Sequence, residues 1–166
     1  LEINNLIQHL NKEFSIKDLG SLSYFLGIEV RRLSKSLIHL SQKKYISEIL
    51  MKAKMDQSNL ISTPMITNVH LSKTKGEMIT NDSQYRSIVG ALQYATITRP
   101  EISFSVNKVS QFMQCPTDEH WRAVKRILRY LKGTLNHGLT MEACKTINIT
   151  GYADADWASD INDRKS

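Results

Sequence analysis

The chain has 166 residues, 41% of them hydrophobic, which suffices for one ordinary packed domain and excludes wholesale disorder. Its 22 basic and 16 acidic residues give a net charge of +6, which permits nucleic-acid binding without demonstrating it. No run of about 18 apolar residues occurs, so no membrane partner is predicted. The two cysteines form no CxxC pair and support neither a disulfide framework nor a zinc site. Because the first residue is Leu1 rather than Met, we expect a fragment or a processed product.

The first 64 residues predict a helix, a β-hairpin and a second helix. Apolar residues recur at helical spacing near the N-terminus, at Ile3, Leu6, Ile7, Leu10 and Phe14. The stretch SYFLGIEVRR then alternates as one strand, RLSKS is a polar turn, and LIHL is a plausible return strand. Ser41 is expected to cap the next helix, whose buried stripe starts at Tyr45.

A polar, aperiodic connection over about residues 56–80 separates this part from three further predicted helices. The first helix starts near Asn81 or Asp82. The second follows Thr98-Arg99-Pro100-Glu101, which matches the capping-box pattern. The third opens at Thr117 and stops at Gly133. HGLTM and TINITGYADADW then alternate as strands, so the predicted fold class is α+β.

The third of these helices carries a basic stripe, which consists of Arg122, Lys125, Arg126, Arg129 and Lys132. We expect these residues on a face opposite Trp121, with no acid between His120 and Lys132. Such a stripe suits a phosphate backbone, because it displaces condensed counterions. A solvated helix face is the alternative, and basic residues near a helix C-terminus are favoured by the macrodipole in any case.

Three aspartates follow the last predicted strand, at Asp154, Asp156 and Asp160. An EF-hand is excluded, because Ala158, Ser159 and Lys165 stand where that calcium loop needs an acid or Asn, a glycine and a glutamate. Two interpretations stay open. The aspartates are surface carboxylates at a strand end, or one of them is the first carboxylate of a two-metal nuclease.

Several long stretches resemble, in the same order, the Pol polyprotein of copia-type LTR retrotransposons. They are LNKEFSIKDLGSLSYFLGIEV, LSQKKYISEIL, YRSIVGALQYATITRPEISFSVNKVSQFM, HWRAVKRILRYLKGT and GYADADWASDINDRKS. The resemblance implies a partial right-hand polymerase fold followed by the first strands of an RNase H-like domain. Residues 1–64 would be the C-terminal part of the palm, 65–80 a linker, 81–133 the helical thumb and 134–166 a truncated start of RNase H.

The resemblance also implies roles for individual residues. The hairpin with Phe25, Leu26 and Gly27 is similar to a primer grip, and the basic stripe would hold an RNA–DNA hybrid or a template–primer duplex. A packed hairpin glycine is the alternative interpretation of Gly27. Asp154 matches the first catalytic, metal-binding carboxylate of RNase H, in an incomplete site. The remainder of the Pol polyprotein would be a further partner, and the location would be intracellular, in the cytoplasm or nucleus.

The chain departs from the family pattern where catalysis is concerned. It contains no YxDD tetrapeptide, which would hold magnesium in the intact polymerase. We therefore predict that the fragment is inactive alone, binds no metal tightly and keeps elements that bind nucleic acid. The alternatives are a non-catalytic nucleic-acid-binding module, a secreted effector built on the RxLR tetrapeptide at residues 126–129, and the product of a decayed element.

Overall fold

The computed structural model describes residues 2–17, 20–66, 71–143, 146 and 151, which form a mixed helix and sheet structure. In chain order the described elements are α1 (Glu2–Glu13), β1 (Tyr24–Phe25), β2 (Ile28–Arg32), β3 (Leu37–Ser41), α2 (Lys43–Lys52), α3 (Asp82–Ala95), a 3₁₀ turn (Pro100–Ile102), α4 (Ser103–Ser110), α5 (Asp118–Gly133) and β4 (Leu139–Glu142). The α+β class is therefore confirmed, while the polymerase and RNase H subfolds stay predictions. Within the described ranges no helix combines the length and the apolar character that crossing a membrane requires.

The hydrophobic core lies among α2, α3, α4 and α5. Each helix contributes fully buried side chains from its apolar stripe, including Ile46, Leu92, Val106 and Ile127. These buried side chains form a stripe on each helix, because residues three and four apart share one helix face. The N-terminal helix is also confirmed, but Ile3, Leu6, Leu10 and Phe14 stay exposed along it. Helical spacing therefore located α1, but these apolar residues do not join the described core.

The sheet has the strand order β1-β2-β3-β4, with antiparallel neighbours throughout. The predicted hairpin of β2 and β3 is confirmed. The single strand predicted over SYFLGIEVRR is wrong, because the chain reverses at Leu26 and Gly27 and places Phe25 opposite Ile28. Leu26 has φ 48° and Gly27 has φ 80°. Two successive positive φ values are typical of a tight type I′ hairpin turn. Glycine adopts a positive φ readily, whereas leucine rarely does, so the sequence around Leu26 did not predict this turn.

Two of the predicted helix caps are wrong. Ser41 ends β3, and Gln42 stands at the N-cap of α2 without a side-chain cap. The Thr98 hydroxyl donates to Gln42 Oε1 at 2.8 Å, and Glu101 accepts from Arg99 Nε at 2.6 Å. Both members of the expected capping box are thus engaged with other partners. Local spacing cannot reveal such long-range competition, since Gln42 is far away in sequence.

The strand predicted at HGLTM is confirmed as β4, which pairs with β3 and places Leu139 opposite Leu40. Gly138 precedes this strand, and a Cβ there would lie 2.2 Å from the Leu40 carbonyl oxygen. A residue without a side chain therefore lets β4 approach β3. The next predicted strand, TINITGYADADW, falls outside the described residues except for Thr146 and Gly151.

Candidate nucleic-acid interface

The turn between β1 and β2 presents the predicted primer-grip residues at an exposed hairpin tip. Phe25 is 60% exposed and Leu26 is 68% exposed. Two large apolar side chains thus remain in solvent beside a backbone turn. An added Cβ on Gly27 would lie 3.9 Å from its nearest neighbours, an ordinary contact distance. The constraint on Gly27 is therefore its positive φ rather than lack of space.

Two tyrosines, Tyr45 of α2 and Tyr94 of α3, connect this hairpin tip to the helical core. The Tyr94 hydroxyl donates to the Leu26 carbonyl at 2.5 Å and so ties the turn to the end of α3. The Tyr45 and Tyr94 rings meet edge to face with centroids 5.2 Å apart. The Tyr45 hydroxyl donates to the Ala91 carbonyl, and burial raises the pKa of Tyr45. The hairpin tip is therefore held in one position against the helical core.

The basic stripe lies on α5, which is fixed at both of its ends. At the N-terminus the Thr117 backbone N–H donates to His120 Nδ1 at 2.9 Å, and the His120 ring stacks on Phe112. Burial lowers the pKa of His120, against the opposing influence of a backbone carbonyl and of two neighbouring carboxylates. At the C-terminus Arg99 donates two hydrogen bonds to Thr134, the C-cap residue.

Three members of the basic stripe contact the connecting segment, which we define as residues 55–66. Arg129 Nε donates to the Asn59 carbonyl at 2.7 Å. Lys132 Nζ donates to the Ser58 carbonyl at 2.8 Å. Arg126 Nη2 donates to the Thr63 hydroxyl at 2.7 Å. The stripe is therefore neither a purely solvated face nor a continuous free cationic surface, since part of it holds a loop in place.

The other two members of the stripe are exposed and have local partners. Arg122 forms an ion pair with Asp118, one helical turn earlier. Lys125 Nζ lies 5.8 Å from the centroid of the Trp121 ring. The expectation that the stripe faces away from Trp121 is therefore wrong for Lys125, because residues four apart are neighbours on a helix surface. Exposed pairs of this kind contribute little stability, so both cations are readily available to an anionic ligand.

A groove of about 700 Å³ runs between the connecting segment and α5. Arg122, Lys125, Arg126 and Arg129 line it on the α5 side, with Glu119 as the acidic lining residue. Apolar side chains line the rest, among them Met55, Pro64, Met65, Ile66 and Leu71. The arrangement combines positive charge with an apolar floor, which suits an anion that also carries an apolar or aromatic part.

The predicted RNase H carboxylate, Asp154, lies outside the described residues, as do Asp156 and Asp160. Within the described part of the chain, no group of three or more His, Cys, Asp or Glu side chains could hold a metal ion. The described residues therefore do not fit the magnesium site that the family resemblance implies.

Sequence reasoning missed two features that shape these surfaces. Tyr94 positions the hairpin tip, yet nothing in its local sequence indicates a contact with Leu26. The connection predicted over about residues 56–80 was expected only to be polar and aperiodic, and its backbone carbonyls at Ser58 and Asn59 accept hydrogen bonds from α5. A backbone acceptor has no sequence signature. The polar composition of the segment was the available signal, and it indicated only a loop.

Comparison with known proteins agrees with the resemblance inferred from the sequence. The family model described as reverse transcriptase (RNA-dependent DNA polymerase) matches residues 1–67. The Retrovirus-related Pol polyprotein from transposon RE1 of Arabidopsis thaliana is 47% identical over 161 residues, which are 97% of this chain and 11% of that protein. An uncharacterized mitochondrial protein of the same plant, AtMg00810, is 43% identical over 99% of this chain and 68% of its own length.

Another relative carries the name of one of the alternatives. Secreted RxLR effector protein 161 of Plasmopara viticola is 45% identical over 83 residues, which are 49% of this chain and 58% of that protein. In this chain the tetrapeptide lies inside α5, with Ile127 and Leu128 fully buried. The longer matches do not favour the effector interpretation.

No solved structure matches the chain significantly. The sequence matches carry the assignment, while the copia subtype and the RNase H portion stay predictions. The chain belongs to the reverse transcriptase family of retrotransposon Pol polyproteins and covers a fragment of such a polyprotein.

Proposed function

We propose that this chain holds nucleic acid beside the polymerase centre of a retrotransposon reverse transcriptase and does not itself extend a primer. The observation that carries the proposal is the set of cations from α5 that line one groove, in a chain of this family. Arg122, Lys125, Arg126 and Arg129 line it with Glu119 as the acidic counterpart. Clustered cations release counterions from a phosphate backbone, and this supplies much of the affinity for nucleic acid.

The hairpin tip would act as the primer grip. Its exposed Phe25 and Leu26 and the tight turn at Gly27 form a narrow ridge. The hydrogen bond from Tyr94 to the Leu26 carbonyl holds this ridge in place. A rigid apolar ridge suits close contact with the sugars of a primer end. Contacts to the nucleic-acid backbone fix position rather than sequence.

The same resemblance supports an assignment of segments to palm, linker, thumb and RNase H, at residues 1–64, 65–80, 81–133 and 134–166. These are proposed family segments and not separate cores. Ile46 of α2 packs in one core with the helices of the third segment, and β4 of the fourth segment pairs with β3 of the first.

We propose that polymerisation requires the remainder of the polyprotein. The family implies dependence on a divalent metal in the intact enzyme. The sequence of this chain contains no YxDD tetrapeptide. An intracellular location and an RNA–DNA hybrid or template–primer duplex as the ligand are part of the same proposal.

Filter binding to an RNA–DNA hybrid across a salt series tests the binding function. We expect the logarithm of affinity to fall linearly with the logarithm of salt concentration. The double variant Arg122→Gln/Lys125→Gln should reduce the slope by about 2, since each phosphate contact contributes about 0.9. The matched control Arg86→Gln/Lys44→Gln removes the same charge from exposed sites on α3 and α2 and should change the slope by less than about 1.

Two results would contradict the proposal. An affinity that does not depend on salt, or no binding at low salt, would remove the electrostatic argument. Magnesium-dependent primer extension by the purified chain would show that it needs no further part of the polyprotein.

A further inference from the structure

The groove between the connecting segment and α5 has the size and shape of a ligand site. Its volume of about 700 Å³ lies within the range of about 300–1,000 Å³ that is typical of small-molecule pockets. Met55, Met65 and Leu71 of its floor also pack against the hydrophobic core. The floor is therefore fixed by the fold and does not depend on a ligand for its shape.

The hydrogen bonds from α5 hold the opposite wall. Arg129 and Lys132 bind the Asn59 and Ser58 carbonyls, which anchors the start of the connecting segment along the helix. The groove thus stands between two fixed elements. Arg122 and Lys125 remain exposed on the helix side of the groove. The ion pair of Arg122 with Asp118 and the contact of Lys125 with the Trp121 ring are both weakened by solvent.

Arg126 belongs to the helix side of the groove and keeps one unpaired donor among the described residues. Its Nη2 is bonded to Thr63, but its Nε is buried and has no hydrogen-bond partner among the described residues. A buried N–H of a charged group without a partner is costly, and native proteins usually satisfy such groups. Arg126 lines the groove, but an atom that is closed to solvent is also closed to a ligand oxygen, so this Nε marks a local cost of packing and not a ligand contact.

We propose that this groove binds an unpaired nucleotide segment of a single strand, and this inference rests on the nucleic-acid-binding function proposed above. Single-strand binding generally joins a cationic groove with side chains, usually aromatic, on which unstacked bases lie. In this groove methionine and isoleucine side chains supply the apolar surface. The apolar floor offers nothing to a duplex, whose bases are stacked within the helix. An unpaired base can lie on Met65 and Ile66, while its phosphates meet Arg122, Lys125 and Arg126. Methionine sulfur also contacts aromatic rings favourably.

A pair of matched variants tests this assignment. Ile66 lines the groove and is 56% exposed, whereas Leu60 belongs to the same connecting segment, is 61% exposed and does not line the groove. Fluorescence anisotropy would compare a labelled single strand of about 10 nucleotides with a blunt RNA–DNA hybrid of the same length. We expect Ile66→Asp to weaken single-strand binding about tenfold and hybrid binding only about threefold, because the added carboxylate opposes the groove cations in both cases but removes the apolar contact only for the single strand. Leu60→Asp should change both less than about twofold.

The possible outcomes separate the two proposals. Equal losses for single strand and hybrid in Ile66→Asp, or equal losses in the two variants, would overturn the groove assignment and leave the binding function intact. If the unmodified chain binds neither the single strand nor the hybrid, the groove assignment and the proposed binding function are both refuted. Displacement of the single strand by a polyglutamate peptide at equal concentration would assign the groove to acidic peptides instead. Ile66→Ser repeats the test without an added charge, and a loss smaller than about twofold there would also contradict the role of the floor.

Discussion

Arg99 is a buried cation that links two parts of the helical core, and its replacement by methionine gives a quantitative prediction. Its side chain is 1% exposed and donates three hydrogen bonds. Nε bonds Glu101 at 2.6 Å, and the two terminal nitrogens bond the carbonyl and the hydroxyl of Thr134. The guanidinium also lies 5.7 Å from the centroid of the Tyr130 ring. Arg99 therefore joins the loop after α3 to the C-terminal end of α5.

The expected cost of Arg99→Met follows from these contacts. Removing one partner of a buried ion pair typically destabilises a protein by about 3–5 kcal/mol, because the other charge is left unpaired. Glu101 is 40% exposed, so water resolvates its carboxylate and the cost should lie near the lower bound, at about 3 kcal/mol. For a chain of this length that loss corresponds to a fall in Tm of roughly 6–12 °C.

Urea unfolding followed by circular dichroism measures this loss. Arg86→Met is the matched control, since Arg86 is 44% exposed and pairs with Asp82 one turn away on α3. An exposed pair contributes at most about 1 kcal/mol, so the two variants should differ by about 2 kcal/mol or more. If Arg99→Met lowers the free energy of unfolding by less than about 1 kcal/mol, the hydrogen bonds of the guanidinium only offset the penalty of removing it from water. That result would refute the reasoning.

Three further predictions concern the elements around the proposed interface. Because burial lowers the pKa of His120 from 6.5 in the folded chain, the unfolded chain binds more protons at low pH. The free energy of unfolding should therefore reach its full value above pH 6.5 and decrease as the pH falls below 6.5. Urea titrations at several pH values should show that His120→Gln removes this pH dependence. Gly27→Ala should cost about 1 kcal/mol because of its positive φ, whereas Gly90→Ala within α3, which has open space for a Cβ, should be neutral or stabilising; equal effects would contradict the turn geometry. Gly138→Ala should raise amide exchange along β3 and β4, since its Cβ would lie 2.2 Å from the Leu40 carbonyl oxygen; unchanged protection would show that the strands can separate slightly at no cost.

The hydrophobic pattern was sufficient to locate the helices, because burial on one face of a helix repeats with the helical period. Asn81 and Thr117 were also recognised as helix starts, since a cap depends on neighbours within one turn of the chain. The same local rule failed at residues 98–101. There Thr98 and Glu101 bond to Gln42 and to the buried Arg99, and such partners depend on how β3, α2 and α5 come together.

For the candidate site, the sequence by itself determined the family, the run of cations on α5 and the absence of a YxDD tetrapeptide. These follow from residue identity and from spacing within one helix. The tertiary structure alone decided that three of those cations bind the connecting segment, that Tyr94 fixes the hairpin tip, and that an apolar floor faces the exposed cations. The physical reason is that backbone carbonyls and distant apolar side chains act as partners only after the chain has packed. The acceptor carbonyls and the apolar side chains of the connecting segment follow no helical or strand period, so the sequence alone does not identify them.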